Sequence, residues 1–160
     1  MEEVFNETIP RLNIVIKQID LSKCRPYKDF GQGFYLTTIK EQAEQMARRT
    51  SAIYGGEPIV TAFEFDETAL STLSVKTFED PSEEWALFVL ANRSRKNVQP
   101  THGFDIVIGP VADDTIATLF RNFDDGIIDL PTLVQGLRYK KVSSQYLFHS
   151  AAAIKYLHSV

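Results

Sequence analysis

The 160-residue chain has a single cysteine, Cys24, and three histidines. One cysteine can form neither an internal disulfide nor a cysteine-rich metal centre. His102, His149 and His158 show no ligand spacing with one another, so no metal site is expected. No apolar run approaches the roughly 20 residues that a transmembrane helix needs. The opening residues, Met1-Glu2-Glu3-Val4-Phe5, lack the basic start and apolar stretch of a signal peptide. Cationic clusters are missing too. Apart from Arg93, Arg95 and Lys96 the basic residues are scattered, and net charge is −4. A dedicated nucleic-acid or anionic-membrane binder needs a concentrated cationic face, so both classes are disfavoured. No repeat, low-complexity tract or Pro/Gly-rich linker divides the chain. The expectation is one cytoplasmic domain over residues 1–160 with no membrane partner.

What is present is a mixture of short strands and helices. Residues 13–17 form a β-prone stretch, and a loop with Pro26 follows over 20–28. Gly33 to Thr38 reads as a strand from its aromatic and β-branched content. From Ile39 to Tyr54, Ala43, Met46, Ala47 and Ile53 recur at helical spacing before Gly55-Gly56. Ile59 to Phe65 is a strong strand, and Ser74 to Phe78 a shorter one. Asp80-Pro81-Ser82-Glu83-Glu84 suits a helix start, with Trp85, Phe88, Val89 and Asn92 along one face. Phe104 to Gly109 is a strand ended by Pro110. Helices are expected near 113–123 and 130–137, a strand at 145–148, and a terminal helix over 151–158. This irregular interleaving defines an α+β domain, not a regular βαβ series.

The segment Asp29-Phe30-Gly31-Gln32-Gly33-Phe34-Tyr35-Leu36-Thr37-Thr38 is the most informative. Two glycines frame a turn, where positive φ is free and a ligand can approach the backbone. An aromatic strand and a helix follow. The plain alternative is a tight turn before an ordinary strand. It is not a dinucleotide fingerprint, because Leu36 stands where the third glycine should be and the order is turn, strand, helix. Asp113-Asp114 reads either as paired carboxylates or as a helix N-cap with a second acid favoured by the dipole. Arg93 at a helix end is favourable by itself, and Asn92 or Arg93 could equally reach a ligand phosphate. Ser143-Ser144 lacks the His/Asp partners of a nucleophilic hydrolase.

Residues 29–38 resemble the second motif of ADP-ribosyltransferases. Phe30-Gly31-Gln32-Gly33-Phe34-Tyr35-Leu36 is similar to a phrase that precedes a helix in poly(ADP-ribose) polymerases. More closely, the chain resembles a bacterial family, domain of unknown function 3990, placed with that superfamily. The matching phrases are Asp-Phe-Gly-x-Gly-Phe-Tyr-Leu-Thr (29–37), Gln-Ala (42–43), Asn-Arg (92–93), Asp-Ile-Val-Ile-Gly-Pro-Val-Ala-Asp-Asp (105–114) and Gln-Tyr-x-Phe (145–148).

The resemblance implies an ADP-ribosyltransferase-like split, mostly antiparallel sheet that clamps NAD, used as a substrate. The reaction class would be cleavage of the nicotinamide–ribose bond with mono-ADP-ribosyl transfer to a protein or nucleic acid, in a toxin or defence component. Tyr35 would pack on the nicotinamide, and Gly31, Gly33, Phe34 and Thr37 would lie along the ligand. Met46 stands where an aromatic wall is usual, and a methionine is a softer one. Asn92 and Arg93 join the cofactor-binding set. Gln145 occupies the position of the catalytic glutamate; it can hydrogen-bond a ribose hydroxyl but cannot neutralise a cation. The superfamily's first motif has no counterpart before Asp29, and residues 1–18 read as a divergent segment. The alternative is a non-catalytic relative that binds a nucleotide or a protein. A third possibility is that the first eleven residues, with Val4, Phe5 and Ile9 as their apolar content, serve as an arm that pairs with a partner chain; an unknown macromolecular acceptor or an antitoxin-type protein is the expected kind of partner. Strand edges allow a homodimer.

Overall fold

The computed structural model describes residues 2–8, 21, 24–138 and 140–159; the expected β-prone stretch at 13–17 lies outside them. The central layer is a four-stranded sheet. Its strands are β2 (Phe34–Leu36), β4 (Val75–Thr77), β5 (Ile106–Pro110) and β6 (Ser144–Phe148), in the order β2-β6-β5-β4. Only the β4–β5 pairing is parallel; β2–β6 and β5–β6 are antiparallel. A second, antiparallel sheet has the order β1-β3-β7, from β1 (Glu2–Thr8), β3 (Ile59–Phe65) and β7 (Leu157–Ser159).

Among the described residues one backbone bridge joins the two sheets. Phe5 and Thr37 exchange a pair of backbone hydrogen bonds, Phe5 N–H to Thr37 C=O at 2.8 Å and Thr37 N–H to Phe5 C=O at 3.0 Å. Beyond it, β1 and β2 part company.

Strands β5 and β6 are covered on both faces, which explains their nearly continuous apolar sequence. Successive residues point to opposite faces. Val107 and Leu147 therefore join Phe30, Phe78, Trp85, Val89, Ile116, Phe120, Leu133 and Leu137 in one core. Ile106 and Phe148 join Val4, Leu36, Phe63, Phe65, Ala69 and Ala153 in the other. The first core is built on helices α3 (Glu83–Arg93), α4 (Asp114–Asp124) and α5 (Leu130–Leu137). The second lies against the three-stranded sheet, with short helices α2 (Ala69–Thr72) and α6 (Ala151–Ile154). Helix α1 (Lys40–Tyr54) follows β2 and ends at Gly55.

Several expectations change here. Residues 2–8 of the amino-terminal segment contribute β1, a strand that the sequence did not suggest, paired with β3 from Glu2 opposite Phe65 to Thr8 opposite Ile59. The terminal helix stops at Ile154, and the chain returns as β7 along the free edge of β3. Pro81 precedes the helix it was expected to begin; Ser82 caps α3, its hydroxyl accepting from Trp85 N–H at 3.2 Å. Asp113 caps α4 in the same way, accepting from Ile116 N–H at 2.9 Å. That geometry favours the capping reading of Asp113-Asp114. The domain is α+β with mostly antiparallel strands, and among the described residues no helix is long and apolar enough to cross a membrane.

Candidate functional site

The glycine turn is held by its own strand, by helix α3 and by two histidines. Gly31 sits at φ +90°, in the left-handed region that favours glycine. The Tyr35 hydroxyl closes the turn from the strand, accepting from Phe30 N–H at 2.9 Å and donating to Gly31 C=O at 2.6 Å. Asn92, fully buried on α3, donates through Nδ2 to Asp29 C=O at 3.2 Å and Phe88 C=O at 2.8 Å. Its Oδ1 accepts from Thr101 Oγ1 at 2.5 Å. His102 Nδ1 accepts from Phe104 N–H at 3.1 Å, which leaves Nε2–H to donate to Phe30 C=O at 2.7 Å. His149 Nδ1 donates to Gln32 C=O. The two imidazoles lie 4.6 Å apart between ring centres. Both polar atoms of the buried Asn92 amide are paired, as a buried network requires.

Burial holds the His102 pKa below its ordinary 6.5, with neighbouring His149 adding to the effect. A depressed folded-state pKa means that the neutral ring stabilises the fold above pH 6.5, and that this contribution is lost as pH falls through the lower folded value. Urea unfolding at pH 7.5 and pH 5 should therefore show a loss of stability that is smaller in His102→Gln. Equal slopes in the two proteins would exclude this role.

In front of the turn, where the sheets part, lies a cleft of about 880 Å³, within the 300–1,000 Å³ usual for small-molecule sites. It gathers Gly33, Phe34, Tyr35, Thr37, Met46, Arg93 and Gln145 from the residues expected to form a site. Gly31 and Asn92 are not among its lining residues; both belong to the frame behind. Thr37 reaches the cleft with its hydroxyl already engaged, donating to Gln42 Oε1 at 2.7 Å and accepting from Ile39 N–H at 3.1 Å. Gln42 in turn donates to Ser143 Oγ, tying α1 to the approach of β6. Burial pushes the Tyr35 phenol far above its ordinary pKa, so it stays protonated and keeps both hydrogen bonds.

Asp29 is the residue that sequence reasoning passed over. Its Oδ1 accepts from Arg93 Nε at 2.7 Å and pairs with a second guanidinium nitrogen; its Oδ2 accepts from Gln145 Nε2 at 3.3 Å. The available signal was its place at the head of the Asp-Phe-Gly-x-Gly phrase. Arg25 and Lys28 also line the cleft, with Lys28 Nζ 5.3 Å from the centre of the Tyr35 ring. Three cationic side chains thus meet one acid among the described lining residues, against an acidic chain overall. Among the described residues no cluster of three or more His, Cys, Asp or Glu side chains could hold a metal ion.

An α+β domain with a cleft of mixed apolar and charged lining beside the joint of two sheets is the class that these features define. Residues 12–159 match the family described as Protein of unknown function (DUF3990), and the chain belongs to that family. No curated protein and no solved structure matches it.

Proposed function

We propose that the cleft binds NAD or a closely related nucleotide and that the domain is an ADP-ribosyltransferase-like protein. The observation that carries this reading is the meeting of Tyr35, Met46, Arg93 and Gln145, drawn from four separate segments, in one cleft. The chemistry of the lining fits such a ligand. Tyr35 and Phe34 offer aromatic surface for a flat base. Arg25 and Lys28 offer charge for a diphosphate, beside the Arg93–Asp29 ion pair. The Phe5–Thr37 joint between the sheets also agrees with the split sheet that the resemblance implies.

Calorimetric titration of NAD into the unaltered chain, Tyr35→Phe and Tyr35→Ala tests the reading. The hydroxyl serves the turn and the ring serves the ligand, so Tyr35→Phe should bind within about fivefold of the unaltered chain. Tyr35→Ala should lose at least tenfold, about 1.4 kcal/mol. Absence of binding by the unaltered chain at millimolar NAD would sink the proposal. A non-catalytic binding module is the second reading, favoured by the neutral amide of Gln145. Binding without nicotinamide release, with or without added protein acceptors, would support it.

A further inference from the structure

We infer that Asp29 is the positioning residue for Gln145, holding its side-chain amide so that the acceptor oxygen, Oε1, is the end presented to the cleft. The inference rests on the NAD reading above and adds a reaction partner to it. Asp29 is the one acid among the described residues lining the cleft. Its carboxylate is fixed in place: Arg93 grips Oδ1, and the Arg93 guanidinium is itself seated 5.4 Å from the centre of the Phe120 ring. The other oxygen, Oδ2, accepts from Gln145 Nε2 at 3.3 Å.

That contact decides which end of the amide faces the ligand. A glutamine amide carries an acceptor oxygen and a donor nitrogen. With Nε2 held by Asp29, Oε1 is the atom left for the cleft. It can accept from a ribose hydroxyl. Without Asp29 the amide is free to turn and present N–H groups to a sugar that is becoming positive. Preorganised dipoles and charges aimed at developing charge are the usual source of such rate effects.

Water is the simplest acceptor. In NAD hydrolysis the ribose C1′–N bond breaks, and its electron pair leaves on the nicotinamide nitrogen. The water oxygen bonds to C1′ and releases one proton to solvent, giving ADP-ribose and nicotinamide.

The test measures nicotinamide release and NAD binding with the full chain, Asp29→Asn and the double variant Asp29→Asn/Gln145→Glu. Asparagine keeps an oxygen for Arg93 but offers Gln145 no acceptor in place of Oδ2. The single variant should lose about 100-fold in kcat, with KM changed less than threefold. The double variant places a carboxylate, an acceptor whichever way it turns, at position 145, and kcat should recover at least tenfold. A purely structural role for Asp29 predicts no such rescue. A single variant within threefold of the unaltered kcat, or a double variant no faster than the single, overturns the inference and leaves NAD binding standing. So does an unaltered chain that binds NAD and releases no nicotinamide. An unaltered chain that fails to bind NAD overturns the parent reading, and this one falls with it.

Discussion

Asn92→Asp is expected to cost about 3–5 kcal/mol at neutral pH, the range for an uncompensated buried charge. A natural domain is stable by only about 5–15 kcal/mol in total, so much of the reserve would go. The cause lies in the partners. Asn92 is wholly buried, and its Nδ2 donates to two carbonyl oxygens, those of Asp29 and Phe88. A carboxylate in that place would set negative charge against both acceptors, with the Thr101 hydroxyl as the one donor named beside it. The protonated acid can still donate once. Its folded-state pKa must therefore be raised, and the sign follows: the penalty is absent below the unfolded value and develops as pH rises through the folded one. The gap to the unaltered protein should narrow on acidification. Asn92→Ala should cost about 2–3 kcal/mol, from a cavity and unsatisfied polar groups. Urea unfolding followed by Trp85, the single tryptophan and fully buried, reads both variants. A loss under 1 kcal/mol in Asn92→Asp would show that the buried network is not built as described.

Gly33→Ala is expected to lower stability by about 3 kcal/mol, at the upper end of the usual cost of overpacking. A methyl group at Gly33 would meet the Leu147 side chain, the Phe148 carbonyl oxygen at 2.7 Å and His149 Cα at 3.1 Å. Two of these three atoms are backbone and cannot swing aside. Phe34 is paired with Phe148 in the next rung of the ladder, so the start of β2 would have to lift from β6. At 2–4 °C per kcal/mol for a domain near this size, the melting temperature should fall by about 6–12 °C. Ligand binding should weaken with it, because β2 carries Phe34 and Tyr35 on the wall of the cleft. A melting temperature within 2 °C of the unaltered protein would contradict the close approach of the two strands.

The parts of this fold that were legible in the sequence are those whose signal is local. Helix α1 shows its apolar spacing and its glycine stop; α3, α4 and α5 show caps or apolar faces; β3, β5 and β6 are β-branched or aromatic runs. Strand β1 shows none of this. Val4 and Phe5 lie among Glu2, Glu3, Asn6 and Glu7, and only the edge of β3 makes a strand of them. The division of the last ten residues into α6 and β7 has the same origin, since helical spacing cannot reveal an open edge of β3 nearly a hundred residues away. In the site, the glycine turn and Tyr35 were visible as a phrase. The work of Asp29 was not, because its partners Arg93 and Gln145 are 64 and 116 positions distant. Nor could sequence assign Asn92 to the frame instead of the cleft, a matter of which side of the turn α3 approaches.

The turn between Asp29 and Gly33 is supported from two sides: by Tyr35, Arg93 and Gln145, which line the cleft, and by Asn92, His102 and His149, which do not. Met46, Val111 and Ala112, which do line it, offer the turn no donor. Scaffold and specificity are therefore written in part at different positions of the chain. Lining residues of this kind are free to drift between descendants and to retune what the cleft accepts, while Asn92, His102 and His149 keep the mouth of the site in register. Diversification of ligand preference on a constant frame is the course that this division of labour leaves open to selection.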